Sequence, residues 1–156
     1  MAKSVVMVIS SLSLGGAERS ALDLCHYLVT NNIHVHLIVT GCSMLKSAFE
    51  IDQRIVVTNI VKKSRYSRKN IFSFLEKIIR LKYHIKRIEP DSVISYIVNV
   101  NILTILATRF SCTKVYVSER SYPGSRNYGF LIDKLRELLY PFATGIVVQT
   151  KASSLW

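Results

Sequence analysis

Cysteine is scarce in this chain, and what there is does not group. Cys25, Cys42 and Cys112 are odd in number, widely spaced and set among apolar residues. That excludes a disulfide framework and a CxxC metal site, and predicts reduced core thiols. Long hydrophobic runs are missing as well. Although 49% of the 156 residues are hydrophobic, no uninterrupted stretch nears the roughly 20 residues a transmembrane helix needs. The N-terminus, Met-Ala-Lys, passes directly into a buried-strand pattern, without the apolar core and small-residue cleavage site of a secretory signal. The cytoplasm is the expected compartment. A chain of this length forms one domain, residues 1–156, and buries about 70% of its unfolded surface.

Acidic residues are few: ten Asp and Glu against 21 Lys and Arg, a net charge of +11. The excess is concentrated. Residues 62–87 hold ten Lys and Arg (62, 63, 65, 68, 69, 77, 80, 82, 86, 87) against Glu76 alone, which is +9 of the total. Such a field implies an anionic partner, whether nucleic acid, anionic lipid headgroups or a phosphorylated ligand.

What is present is a regular alternation. Val5, Val6, Val8 and Ile9 form a β-branched run, and similar runs recur at 34–40, 55–60, 92–96, 114–118 and 145–149. Helical patterns fall between most of them, after Gly15-Gly16 up to about Asn31-Asn32 and over 69–88, 101–110 and 130–140. Strands alternating with helices, without hairpin signals, predict an α/β fold: a doubly wound parallel sheet of six strands with helices on both faces. Ligands on such sheets bind beyond the carboxyl ends of the strands. Polar and special residues collect there, at 10–19, 96–101, 118–126 and 149–151.

Three constellations stand out. Gly15-Gly16 opens a helix directly after the first strand, where free N–H groups and the helix dipole attract phosphate; a plain tight turn is the other reading. The dinucleotide fingerprint is absent, since there is no third glycine and no acid at the second strand end, which argues against NAD. A phosphate loop of the GK[ST] kind, a GxSxG elbow and a metal-spaced His/Cys cluster are absent too, and His26, His34, His36 and His84 are scattered. In the basic helix, Lys69, Ser73, Lys77, Arg80, His84 and Arg87 follow three- and four-residue steps. That predicts an exposed stripe opposite an apolar face of Ile71, Phe74, Leu75, Ile78, Leu81, Ile85 and Ile88. The stripe is either a solvated face or a docking rail for phosphates, and Lys82 and Lys86 fall on the apolar side, where they must snorkel. Finally, Glu119 and Arg120 sit beside turn residues after the fifth strand, as a capped loop or as part of a ligand rim.

Gly15-Gly16-Ala17-Glu18-Arg19, Val117-Ser118-Glu119-Arg120, and Tyr140-Pro141-Phe142-Ala143 leading into Gly145-Ile146-Val147-Val148-Gln149-Thr150 together resemble the N-terminal domain of glycosyltransferase family 4. The nearest likeness is to enzymes that act on lipid-linked glycans or build polysaccharide or lipopolysaccharide. The resemblance implies the N-terminal, acceptor-binding half of a GT-B fold, two Rossmann-like domains facing across a cleft. It implies retaining transfer from a nucleotide-sugar co-substrate, without metal or other cofactor and without a protein nucleophile, to a glycan or polyprenyl-diphosphate-linked acceptor. Gly15 and Gly16 would approach the donor diphosphate, and Glu18, Arg19, Asn99, Asn101, Glu119 and Arg120 would line the acceptor cleft. Lys69, Lys77, Arg80, His84 and Arg87 would meet the inner face of the membrane or the lipid diphosphate. The family's donor-binding half has no counterpart in the 156 residues. The resemblance therefore predicts no turnover by this chain alone and a donor-binding domain in cis or as a separate subunit. The competing class is a non-enzymatic basic module for nucleic acid or anionic membrane. It lacks a recognition helix and an aromatic stacking face, so nucleic acid is not the expected partner.

Overall fold

The computed structural model describes residues 3–41, 48–61, 71–119 and 129–150. Its elements run β1 (Ser4–Ile9), α1 (Gly16–Thr30), β2 (His34–Val39), β3 (Val56–Asn59), α2 (Ile71–Ile88), β4 (Ser92–Tyr96), α3 (Val98–Thr108), β5 (Lys114–Glu119), α4 (Phe130–Leu139), a 3-10 turn (Tyr140–Phe142) and β6 (Gly145–Val148). The six strands form one sheet in the order β3-β2-β1-β4-β5-β6. Every neighbouring pair is parallel. This is the doubly wound sheet that the strand runs predict.

Alternation along the strands divides the core between the two faces. Met7, Ile9, Val35, Leu37 and Val39 point to one side, where Ala21, Leu22, Cys25 and Val29 of α1 cover them. Val6, Val8, Ile38 and Val93 point to the other, under Leu81 and Ile85 of α2 and Val100, Leu103 and Ala107 of α3. Val115 and Val117 complete that side beneath α3 and Leu139 of α4. Burial on both faces is what selects these near-continuous Val and Ile strands.

Two sequence expectations are corrected and a third is narrowed. Cys25 is a core thiol, and burial pushes it up to about 12, but Cys112 is exposed because the turn leading into β5 runs over the surface. Cys42 lies outside the described residues. The third helix begins at Val98, not Asn101, because the strand-to-helix turn is the single residue Ile97, held at φ 76°. On α2 the face that packs is the expected one, with Leu81 and Ile85 in the core and Phe74, Ile78 and Ile88 against it, but its outer members Ile71 and Leu75 are exposed. Phe72, Ile79 and Tyr83 form a second, exposed apolar arc outside the expected face.

Candidate functional site

The sheet order places the switch point at β1, which is bonded to β2 on one side and β4 on the other. Crevices at such points open beyond the carboxyl ends of the strands. Here α1 and α3 begin, at Gly15-Gly16 and at Ile97-Val98. Gly15 caps α1 in an extended conformation, φ −165° and ψ 150°, which any residue adopts. Its glycine identity has another cause: a Cβ there would overlap the Glu18 carboxylate. Glu18 is only 9% exposed, and its Oε1 accepts a bond from Ser11 Oγ at 2.9 Å. The anion drawn close to Gly15 is thus the protein's own, a favourable charge in the first turn of a helix. Glu18 is committed to the turn, whereas Gly16 and Arg19 are exposed and a Cβ on Gly16 would meet nothing within 4 Å.

The second part of the rim is a hydrogen-bond chain across β4, α3, β5 and the 3-10 turn. Ser95 Oγ donates to Asn101 Oδ1 at 2.8 Å. Asn101 Nδ2 donates to the Ser118 carbonyl at 3.2 Å and to the Tyr140 hydroxyl at 3.0 Å. Tyr140 in turn donates to Glu119 Oε2 at 2.9 Å. The Ser118 carbonyl fixes the amide orientation, because Asn101 can face it only with its N–H group. Every bond downstream then has one direction. Burial, first, pushes the Tyr140 phenol above its ordinary value; the Asn101 bond opposes this, the Glu119 carboxylate adds to it, and the Arg136 charge opposes it. The hydroxyl therefore stays protonated and able to donate.

Asn101 is fully buried, and each end of its amide is used inside the protein. This corrects its assignment to the acceptor cleft: it braces the rim. Asn99, in the first turn of α3, is exposed. Glu119 ends β5 at 5% exposure, and Arg120 lies outside the described residues. Ile97 is the strained member, a β-branched residue at φ 76°, outside the usual regions for its type. Such strain persists where the surroundings over-determine it, often beside ligands.

The basic stripe is less exposed than expected. Arg80 donates to the Ile60 carbonyl at 2.9 Å and pairs with Glu76 at 2.6 Å, so it ties α2 to the edge of the sheet. Lys77 and His84 are half-buried on the same flank, and Arg87 is exposed. Lys69 lies outside the described residues. Lys82 and Lys86, expected to snorkel, point directly to solvent. Among the described residues no group of three or more His, Cys, Asp or Glu could hold a metal ion, and no helix is long and apolar enough to cross a membrane.

The family model for Glycosyltransferase Family 4 matches residues 14–153. The chain belongs to glycosyltransferase family 4. No curated protein sequence matches it. Among solved structures, MurG of Acinetobacter baumannii is similar over 97% of this chain and 42% of its own, with a TM-score of 0.73 and 20% identity. The UDP-GlcNAc 2-epimerase of Methanocaldococcus jannaschii is similar over 97% and 41%, with a TM-score of 0.74 and 16% identity. The lipopolysaccharide outer core galactosyltransferase WaaB is similar over 73% and 32%, with a TM-score of 0.56 and 13% identity. This family 4 chain spans about two-fifths of the length of the first two. At these identities the likeness establishes the fold, the Rossmann-like half of a GT-B architecture. Transferases and an epimerase share it, so fold alone does not select the chemistry.

Ser95 and Tyr140 join the site of this family 4 domain only once it is folded. Ser95 carried a signal, a polar residue inside a buried strand. Tyr140 carried one in its motif, but its bond to Glu119 depends on a pairing across 21 positions.

Proposed function

We propose that this chain is the acceptor-side domain of a retaining glycosyltransferase, which moves a sugar from a nucleotide sugar to a glycan or lipid-linked acceptor at the cytoplasmic face of a membrane. The observation that carries the reading is the shared rim. The open Gly16 turn after β1 and the Glu119 carboxylate ending β5 stand at the same carboxyl edge of the sheet, in a domain of glycosyltransferase family 4. WaaB, a lipopolysaccharide outer core galactosyltransferase of similar fold, supports a lipid-linked acceptor.

In this reading the exposed N–H groups of Gly16 and its neighbours, with the positive end of α1, approach the donor diphosphate, as helix N-termini favour anions. Asn99 and Glu119 meet acceptor hydroxyls, with Arg120 after them in the chain. Transfer with retention relies on the donor's own phosphate and on preorganised charge in place of a protein nucleophile or a metal. A donor-binding domain, in cis or as a separate subunit, holds most of the nucleotide sugar. The isolated chain then binds acceptor, binds nucleotide weakly and turns over nothing.

Titration of the isotope-labelled chain with a polyprenyl-diphosphate-linked glycan, followed by amide NMR, tests this. Shifts at Gly16, Asn99 and Glu119 are expected, with only a weak response to UDP. Silence of the rim toward every lipid-linked and free glycan, with tight RNA binding instead, would overturn the reading in favour of a basic module.

A further inference from the structure

Among the described residues three charged side chains are almost hidden from water, Glu18, Glu119 and Arg136, at 9%, 5% and 4% exposure. A buried charge is tolerated only where an opposite charge or several hydrogen bonds compensate it. Glu18 has the Ser11 hydroxyl and the first turn of α1. The other two come together around Tyr140. Arg136 and Tyr140 are four residues apart, and Tyr140 continues the helical turn at φ −58° and ψ −32°, so the two side chains lie on one line of α4. The Tyr140 hydroxyl donates to Glu119 Oε2 at 2.9 Å, and the Arg136 charge reaches the same hydroxyl, favouring its anion. A cation and an anion thus share one phenol as neighbour. Tyr140 packs against the apolar cluster of Val98, Ile102, Val117 and Leu139, where charges are screened far less than in water. Two other acids lie within a turn of Arg136. Asp133 is half-buried, and Glu137 is exposed and pairs with Lys134 at 2.9 Å.

We propose that Arg136 is a positioning residue for Glu119, its buried guanidinium compensating the carboxylate across the Tyr140 hydroxyl. Tyr140 is neutral, so its hydrogen bond orients the carboxylate without answering its charge. Arg136 supplies what the phenol lacks. With the charge compensated, Oε2 stays seated on the hydroxyl and Oε1 is left to the rim, where it accepts from a hydroxyl of the sugar acceptor. Arg136 itself touches no substrate in this arrangement and acts only through Glu119. What Glu119 does at the rim rests on the acceptor reading above; the charge pairing does not.

A double-variant cycle in urea unfolding tests the pairing. Glu119→Gln and Arg136→Met each strand one buried charge, so each should lower the folding constant. The double variant should be at least about fivefold more stable than the two losses combined predict, because coupled sites are not additive. Asp133→Asn with Arg136→Met should be additive. If Arg136→Met alone does not fold, the double variant still should, since both charges leave together. Amide NMR titration with a polyprenyl-diphosphate-linked glycan tests the positioning. Arg136→Met should lose about tenfold in the affinity read at Glu119 and Asn99, the range of a hydrogen bond to a charged group, while the sheet amides of Val6 and Leu37 keep their parent positions. Arg136→Lys, which keeps the charge, should recover most of that loss. In the Glu119→Gln background, Arg136→Met should cost nothing further in binding. Additive stability losses overturn the proposal, as does a double variant that does not fold. So do coupling to Asp133 in place of Glu119, parent-like glycan affinity in Arg136→Met, and a further loss of affinity in the double variant. A parent whose rim ignores every glycan, with the stability cycle still non-additive, supports the pairing and overturns the acceptor reading alone.

Discussion

The Tyr140 hydroxyl donates to Glu119 Oε2 at 2.9 Å while accepting from Asn101 at 3.0 Å. One hydroxyl thus connects the end of β5 to the start of α3. Replacing Tyr140 by Phe leaves a nearly buried carboxylate short of a donor and removes a partner from Asn101. Bonds to charged groups contribute about 1.5–3 kcal/mol, so Tyr140→Phe should destabilise by about that amount in urea unfolding. Combined with Ser95→Ala, the losses should be non-additive, because both changes act on Asn101. A loss near zero would show that the chain of bonds does not brace the rim.

Which arc of α2 packs is open to a direct comparison. Leu81 is fully buried, and Ile79, two residues away, is 68% exposed. Leu81→Ala should cost about 2–5 kcal/mol through lost burial and a cavity. Ile79→Ser should change stability by no more than about 0.5 kcal/mol, as an exposed site does. Urea midpoints for the two variants decide it, and equal losses would mean that both arcs are covered.

The strands were legible in the sequence because burial on both faces demands unbroken Val and Ile runs, and 92–96 is recovered at both ends. The start of α3 was not, since its cap is Ile97, a residue that rarely tolerates φ 76° and carries no capping signal. The packed face of α2 was legible, as Phe74, Ile78, Leu81, Ile85 and Ile88, whereas the exposure of Ile71 and Leu75 at its edge was not, because periodicity gives the direction of an apolar face but not how far the sheet covers it. Among site residues, Gly15-Gly16 and Glu119 were legible as motifs after strands. The burial of Asn101 was not, because Ser95, Ser118 and Tyr140 reach it only once β4, β5 and the 3-10 turn are assembled.

Two glycines at the carboxyl edge should respond differently to alanine. A Cβ at Gly41 would overlap the Ser10 backbone carbonyl, just past the point where Thr40 N bonds to the Ile9 carbonyl at 2.9 Å. Backbone cannot swing aside, so Gly41→Ala should cost about 1–3 kcal/mol. At Gly15 the obstacle is the end of the Glu18 side chain, which can rotate away at the expense of its Ser11 bond. Because the rotated carboxylate and the freed Ser11 hydroxyl can both bond to water, the net loss is only about 0.5–1.5 kcal/mol, and it is partly offset by the reduced freedom of the unfolded chain. Gly15→Ala should therefore be the milder change in thermal or urea unfolding, and the reverse ranking would mean that Glu18 is locked in place.

His36 gives the fold a pH dependence of defined sign. It lies in β2, partly buried, and burial, first, together with the charge of His34 holds it below its ordinary value of 6.5. Below that pH the unfolded chain takes up a proton at this site more readily than the folded one. Stability must therefore rise with pH across the window just under 6.5 and level off above it, as far as this group is concerned. Asp52 works at a different pH. The Arg54 hydrogen bonds bring its carboxyl down to about 2 from 3.8, so its contribution is complete above 3.8 and is lost only as pH falls toward 2. Urea unfolding between about pH 5 and pH 8 separates His36 from Asp52, whose pKa values both lie below that range. The parent should gain stability over the lower part of this range, and His36→Gln should show a smaller gain. An unchanged slope in the variant would assign the dependence to another group.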